Sequence, residues 1–78
     1  MLTGKKFRLN RETIAIETIR EVRGVVMVPS GEIVTVLHGP TADDKRMVDV
    51  RWNDRTLVMF AVDVNVRGTE VLEDSVSA

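Results

Sequence analysis

The sequence predicts an all-β domain, a small barrel of five short strands with one 3₁₀ turn before the last strand. Between Met47 and Gly68, two runs of alternating apolar and polar residues are joined at Asn53-Asp54-Arg55. The trio Pro29-Ser30-Gly31 separates two further runs rich in β-branched residues. Alternation with a period of two is typical of strands, and turn residues at these places let the chain reverse.

The composition is that of one small globular domain. The chain has 78 residues, of which 44% are hydrophobic and 29% are charged. We expect a single domain over residues 3–72 and a flexible C-terminal tail over 73–78. Chains of this size bury only about 60% of the surface that the unfolded chain exposes. Cysteine is absent, which excludes disulfides, cysteine-based zinc sites and thiol catalysis.

The charge and the N-terminus bear on location and partners. Residues 1–6 start with positive charge but have no apolar run behind them, and no segment reaches the length of a membrane span. We therefore expect a cytoplasmic protein of bacterial type, without a membrane partner. The formal net charge of −1 argues against a dedicated nucleic-acid binder. Positive residues nevertheless cluster near the N-terminus as a candidate basic edge: Lys5, Lys6, Arg8 and Arg11.

The N-terminal third can be interpreted in two ways. Phe7 and Leu9 alternate with polar residues, and the alternation resumes at Ile14 and Ile16. Residues 11–23 also fit an amphipathic helix, with Asn10 as a possible N-cap. Three isoleucines, two threonines and one valine without a leucine favour strand. Residues 18–24 are polar and are predicted to be irregular.

The middle of the chain is predicted as two strands and a loop. Residues 25–28 form a short apolar run that ends at the turn 29–31, and residues 32–37 read as the next strand. Residues 41–46 are polar and predict an exposed loop.

The central hairpin allows two registers. A two-residue turn at Asn53-Asp54 makes Val50 face Leu57, and Val48 face Met59. A three-residue loop shifts every pair by one residue, so that the other apolar set faces the core. We favour the three-residue loop, which leaves Leu57 and Met59 on the outer side. The residues that it places on the core face are Val48, Val50, Trp52, Val58 and Phe60.

A short turn is predicted to follow the hairpin. Asp63 can cap the amides of one 3₁₀ turn, and Gly68 is expected to take a positive φ where that turn ends. Residues 69–72 then form the last strand.

The order of these features resembles the SH3-like barrel. An early loop, a turn, a hairpin and one helical turn before the closing strand span roughly Gly4 to Leu72. The chain is similar to small bacterial SH3-like barrel proteins in the segments GKKFRLNRETIAIE, VPSGEIVTVL and MVDVRWNDRTLVMFAVDVNVRG. Such barrels often place Gly in the hairpin turn, where this chain has Asn53-Asp54. The resemblance implies a fold, and this fold hosts unrelated functions.

No residue of the sequence predicts a catalytic, cofactor or metal site. His38 is the only histidine, and its nearest candidate co-ligands, Asp43 and Asp44, lie in the predicted loop, so we expect a solvated side chain. Trp52 could line a groove for proline-rich peptides, but tyrosine is absent and phenylalanine occurs only twice. Packing at the core or its rim is the simpler role for Trp52.

Three functions follow as hypotheses. The first is a non-enzymatic module that binds a protein partner or itself through an outer strip and an exposed strand edge. The residues predicted for that surface are Trp52, Leu57, Met59, Arg51 and Arg55. The second is RNA binding by the basic edge, and the third is an oligomeric enzyme similar to type II dihydrofolate reductases. Residues 58–61, Val-Met-Phe-Ala, do not match the Val-Gln-Ile-Tyr site strand of those reductases.

Overall fold

A computed structural model describes residues 2–72. The chain forms seven strands and one helix in this range. The strands are β1 (Lys6–Leu9), β2 (Thr13–Ile19), β3 (Val22–Val28), β4 (Ile33–His38), β5 (Met47–Trp52), β6 (Arg55–Phe60) and β7 (Gly68–Val71), and the helix is α1 (Ala61–Arg67). The predicted tail over residues 73–78 lies outside the described residues.

All strands belong to one antiparallel sheet in the order β3-β2-β6-β5-β4-β1-β7. The all-β prediction is confirmed, but the sheet has seven strands rather than five and is not closed into a barrel. The predicted count was too low partly because residues 18–24, expected to be irregular, lie mostly within the β2–β3 hairpin. β3 and β7 are the two edges of the sheet.

The β2–β3 hairpin settles the alternatives for residues 11–23 in favour of strand. Its register runs without interruption from Thr13 opposite Val28 to Ile19 opposite Val22. The two turn residues, Arg20 and Glu21, have φ values of 50° and 68°. Positive φ at both positions is the requirement of a type I′ turn, whose twist matches that of the flanking strands.

The central hairpin has the two-residue turn, and the three-residue loop was wrong. Trp52 lies opposite Arg55, Val50 opposite Leu57 and Val48 opposite Met59. Asn53 takes a φ of 56°, which asparagine tolerates better than most residues. Leu57 and Met59 therefore face the core, and Phe60 lies on the opposite face.

The core lies on one side of the sheet and is formed almost entirely by aliphatic side chains. Among residues 2–72 the one buried polar residue is Thr13, whose hydroxyl donates a hydrogen bond to the Arg11 carbonyl at 2.9 Å. Leu2, Val26 and Trp52 pack against the core from its margins. The buried apolar residues are Phe7, Leu9, Ala15, Val28, Val34, Val36, Val48, Val50, Leu57, Met59, Ala61 and Val64.

The segment after β6 is an α-helix of seven residues rather than one 3₁₀ turn. Its N-cap position is Phe60, which makes no side-chain capping bond, so the capping role predicted for Asp63 was wrong. Gly68 has a φ of −113°, so the predicted positive φ was also wrong. Within residues 2–72 no helix has the length and the apolar character that a membrane span requires.

Candidate interaction surface

An apolar surface covers the outer side of β3, β2 and β6, away from the core. Ile16 lies opposite Val25 on one side and opposite Val58 on the other, so the three side chains share this side of the sheet. On the same side of the sheet, Ile14 pairs with Met27, and Phe60 lies two residues beyond Val58 along β6. We call this surface the outer apolar face and define it by six residues: Ile14, Ile16, Val25, Met27, Val58 and Phe60.

The outer apolar face is exposed to a degree unusual for large apolar side chains. Val25 is 68% exposed, and Ile14, Met27 and Phe60 are between 40% and 46% exposed. Ile16 and Val58 are half-buried among them. Single exposed apolar residues are common in folded proteins, whereas a contiguous group of this kind marks a surface that another molecule covers.

The tip of the β2–β3 hairpin extends this exposure beyond the core. Ile19 and Val22 are 60% and 69% exposed although they lie on the same side as buried Ala15. Among the described residues, Ile16–Val58 is the one pair that joins the backbones of β2 and β6. The distal half of the hairpin is therefore a two-stranded ribbon, and isolated ribbons are only marginally stable in water.

A polar cluster anchors this ribbon to the central hairpin. Nε of Arg55 donates to Oε2 of Glu17 at 3.0 Å, and Nη2 of Arg55 donates to Oε1 at 2.6 Å. This is a bidentate, charge-assisted pair. The Arg55 guanidinium also lies 5.2 Å from the centroid of the Trp52 ring, whose Nε1 donates to Oε1 of Glu32 at 2.8 Å. Glu17 of β2 is thus tied to the turn between β5 and β6.

The Glu17–Arg55 pair shifts the pKa of both groups. The hydrogen bonds from Arg55, and then its positive charge, lower the pKa of the Glu17 carboxyl against the opposing effect of desolvation. The same hydrogen bonds raise the pKa of the Arg55 guanidinium. Both shifts favour the charged forms, so the pair remains ionised well below neutral pH.

The structure separates the five residues that the sequence assigned to an interaction surface. Leu57 and Met59 are fully buried, so their assignment to an exposed strip was wrong. The cause is the one-residue difference in the hairpin register, which exchanges the two faces of β6. Trp52 is half-buried at the rim of the core beside Arg55, and Arg51 is exposed on the outer side of β5 opposite Thr56.

The four residues of the predicted basic edge do not form one continuous patch. Nζ of Lys5 lies 3.9 Å from Oε1 of Glu70, which offsets its charge. Lys6 and Arg8 lie two residues apart on one side of β1, opposite Val71 and Thr69 of β7. Arg11 lies past the end of β1 in a surface cleft of about 430 Å³ that Asn10, Val66 and Arg67 also line.

The polar residues near His38 do not assemble a site. His38 is exposed at the end of β4, where the register with β5 shifts. Asp44 is engaged locally, since its Oδ1 accepts the amide of Arg46 at 3.1 Å. Among residues 2–72, no group of three or more His, Asp or Glu side chains converges closely enough to hold a metal ion.

The sequence interpretation missed the residues of the outer apolar face. Both faces of β6 are apolar, so alternation within β6 alone does not tell which pair is buried. The signal that was available is the alternation in β5, where Val48 and Val50 are apolar and Asp49 and Arg51 are not. Combined with Asn53-Asp54 as a two-residue turn, that pattern places Leu57 and Met59 in the core.

Comparison with protein-family models, with curated proteins and with solved structures gave no match to this chain.

Proposed function

We propose that the chain is a non-enzymatic interaction module whose outer apolar face is covered by protein. The observation that carries the proposal is the contiguity of six apolar residues across three neighbouring strands on the side of the sheet opposite the core. A face that served only to be hydrated would alternate apolar inward and polar outward residues. β2, β3 and β6 depart from that pattern on their outer side.

The neighbouring strands supply the polar rim that protein interfaces usually have. Asp49 of β5 lies opposite Val58, and Arg51 lies opposite Thr56. Arg23 of β3 and Thr18 of β2 form the pair next to Ile16 and Val25 toward the hairpin tip. An apolar centre within a polar rim is the usual anatomy of a protein–protein interface.

The proposal is tested by placing a photo-crosslinking amino acid at Met27, on the edge-strand side of the outer apolar face, and irradiating living cells of the source organism. The matched control carries the same amino acid at Val66, which is 74% exposed on α1. We expect adducts of discrete mass from the Met27 position and none above background from Val66. An absence of adducts from Met27, or the same adducts from both positions, would contradict the proposal.

RNA binding by the basic edge and an oligomeric enzyme remain alternative hypotheses. Neither gains support from the arrangement of Lys5, Lys6, Arg8 and Arg11, because Lys5 is paired with Glu70 and Arg11 lies apart from β1. Single-strand binding relies on exposed aromatic side chains interleaved with basic ones, whereas Phe7, which lies between Lys6 and Arg8, is buried in the core.

A further inference from the structure

The two edges of the sheet are built differently. β7 has only four residues, Gly68–Val71, and carries Glu70. β3 has seven residues, Val22–Val28, and Arg23 is its only charged residue. Natural edge strands avoid pairing with other chains by being short, by carrying charges or prolines, or by bulging. β3 has no bulge in its pairing with β2, and it contains no proline, since Pro29 comes after its last residue.

The hairpin turn determines which backbone groups of β3 face outward. A two-residue turn is closed by a hydrogen bond between its flanking residues, here Ile19 and Val22. Hydrogen-bonded and non-hydrogen-bonded pairs then alternate along the ladder. Ile16 consequently directs its backbone groups away from β3, in agreement with its pairing with Val58 of β6. By the same alternation, Arg23, Val25 and Met27 direct their amides and carbonyls away from β2, to the free edge.

These outward groups match a second copy of the same strand. In an antiparallel pair of identical strands related by a two-fold axis, one residue must lie opposite itself. Only a register centred on Val25 pairs all three outward residues with one another: Val25 with Val25, and Arg23 with Met27 of the second copy. A register centred on Arg23 would place two guanidinium groups opposite each other, which is destabilising.

Resting on the proposed interaction function, we infer that a second copy of the chain binds at the open edge of the sheet, joined antiparallel through β3 with Val25 on the two-fold axis. Each pair of outward residues then exchanges both of its backbone hydrogen bonds. The Val25 side chains of the two copies come to lie side by side, with Met27 of each copy opposite Arg23 of the other, so the two outer apolar faces become one surface across a continuous sheet. On the core side, the same register places exposed Val22 of each copy opposite Val28 of the other copy.

The register makes a charge-specific prediction at Met27, which is 46% exposed and opposite Arg23 of the second copy. Met27→Lys places like charges opposite each other twice in the dimer, whereas Met27→Glu places opposite charges there. Sedimentation equilibrium at low salt measures the dissociation constants. We expect a dimer for the unmodified chain and a dissociation constant at least about tenfold higher for Met27→Lys than for Met27→Glu. Val66→Lys, remote from β3, is the control and should dimerise like the unmodified chain.

The outcomes separate this inference from the proposed function. A chain that stays monomeric at millimolar concentration would overturn the dimer, while crosslinks from Met27 to a different protein would leave the proposed function in place. A dimer that Met27→Lys and Met27→Glu weaken equally would overturn the Val25-centred register. A dimer that neither variant weakens would place the interface elsewhere and overturn the inference. Circular dichroism establishes that each variant is folded.

Discussion

Gly68 shows how a single residue can be required for a reason other than positive φ. It ends α1 and begins β7 with a φ of −113°, which any residue can adopt. A Cβ at this position would lie 2.5 Å from the Val64 carbonyl oxygen and 3.2 Å from Cβ of Phe7. The absence of a side chain at Gly68 therefore lets the end of α1 pack closely on β1, where Phe7 is buried.

We predict that Gly68→Ala lowers the free energy of unfolding by about 1–3 kcal/mol, because the added methyl group overpacks the contact with Val64 and Phe7. Denaturant unfolding measures the loss. Gly24→Ala is the matched control, since a Cβ there would meet only the Glu17 carbonyl oxygen at 4.0 Å. The control should change the free energy by less than about 0.5 kcal/mol. Equal effects of the two substitutions would show that the contact at Gly68 is not tight.

The Glu17–Arg55 pair predicts a dependence of stability on pH. Arg55 holds the folded-state pKa of Glu17 below its ordinary value of 4.5. A carboxyl with a lowered folded-state pKa stabilises the fold fully above the unfolded-state pKa, and this contribution is lost as the pH falls through the folded-state value. Glu17→Gln removes the contribution. The unmodified chain should therefore be more stable than Glu17→Gln at pH 7, and the difference should shrink toward pH 2.

Urea unfolding of both chains across this pH range checks the prediction. Glu12→Gln serves as the control, because only the backbone carbonyl of Glu12, and not its carboxylate, makes a contact with Arg67. Its difference from the unmodified chain should be small at neutral pH. A difference between the unmodified chain and Glu17→Gln that stays constant from pH 7 to pH 2 would show that the pair does not stabilise the fold.

At the scale of elements, the β2–β3 hairpin uses turn residues that do not suit its geometry. Arg20 and Glu21 both adopt positive φ, where side chains with a Cβ are disfavoured and where Asn-Gly is the preferred pair. We predict that the double substitution Arg20→Asn with Glu21→Gly raises the free energy of unfolding by about 1 kcal/mol. Thermal and urea unfolding measure the change. An unchanged or lower stability would contradict the type I′ turn.

The same hairpin explains part of what the sequence could not predict. Residues 18–24 look irregular because Thr18, Arg20, Glu21 and Arg23 are polar and the turn has neither Asn nor Gly. Their strand conformation comes from the seven-residue pairing of β2 with β3. A turn that lacks its preferred residues is imposed by the pairing around it, so local sequence carries little trace of it.

Other elements could be predicted because one physical constraint dominated. The turn at 29–31 follows from the glycine, and Gly31 has a φ of 91°. β4 follows from its β-branched residues, and β5 follows from the alternation of apolar and polar residues. The register of β6 failed, because Leu57, Val58, Met59 and Phe60 are all apolar and their orientation depends on the length of one turn. That error moved the candidate surface to the wrong side of β6, so Leu57 and Met59 were assigned to it although they belong to the core.

At the scale of the molecule, the sheet has one protected edge and one open edge. Its core side is filled mainly by aliphatic residues, and its outer side carries the outer apolar face across β3, β2 and β6. The open edge and the outer apolar face meet at Val25 and Met27. A single interface through β3 would therefore pair the free backbone groups and extend the apolar surface across both copies.

Amide hydrogen exchange at residue resolution tests whether two copies of the chain pair through β3. The amides of Arg23, Val25 and Met27 point to the free edge, so they exchange rapidly in a monomer, whereas those of Gly24 and Val26 bond to β2. We predict that the three outward amides become strongly protected as the protein concentration rises from micromolar to millimolar, while Gly24 and Val26 change much less. Rapid exchange of the Arg23, Val25 and Met27 amides at every concentration would show that two copies do not pair through β3.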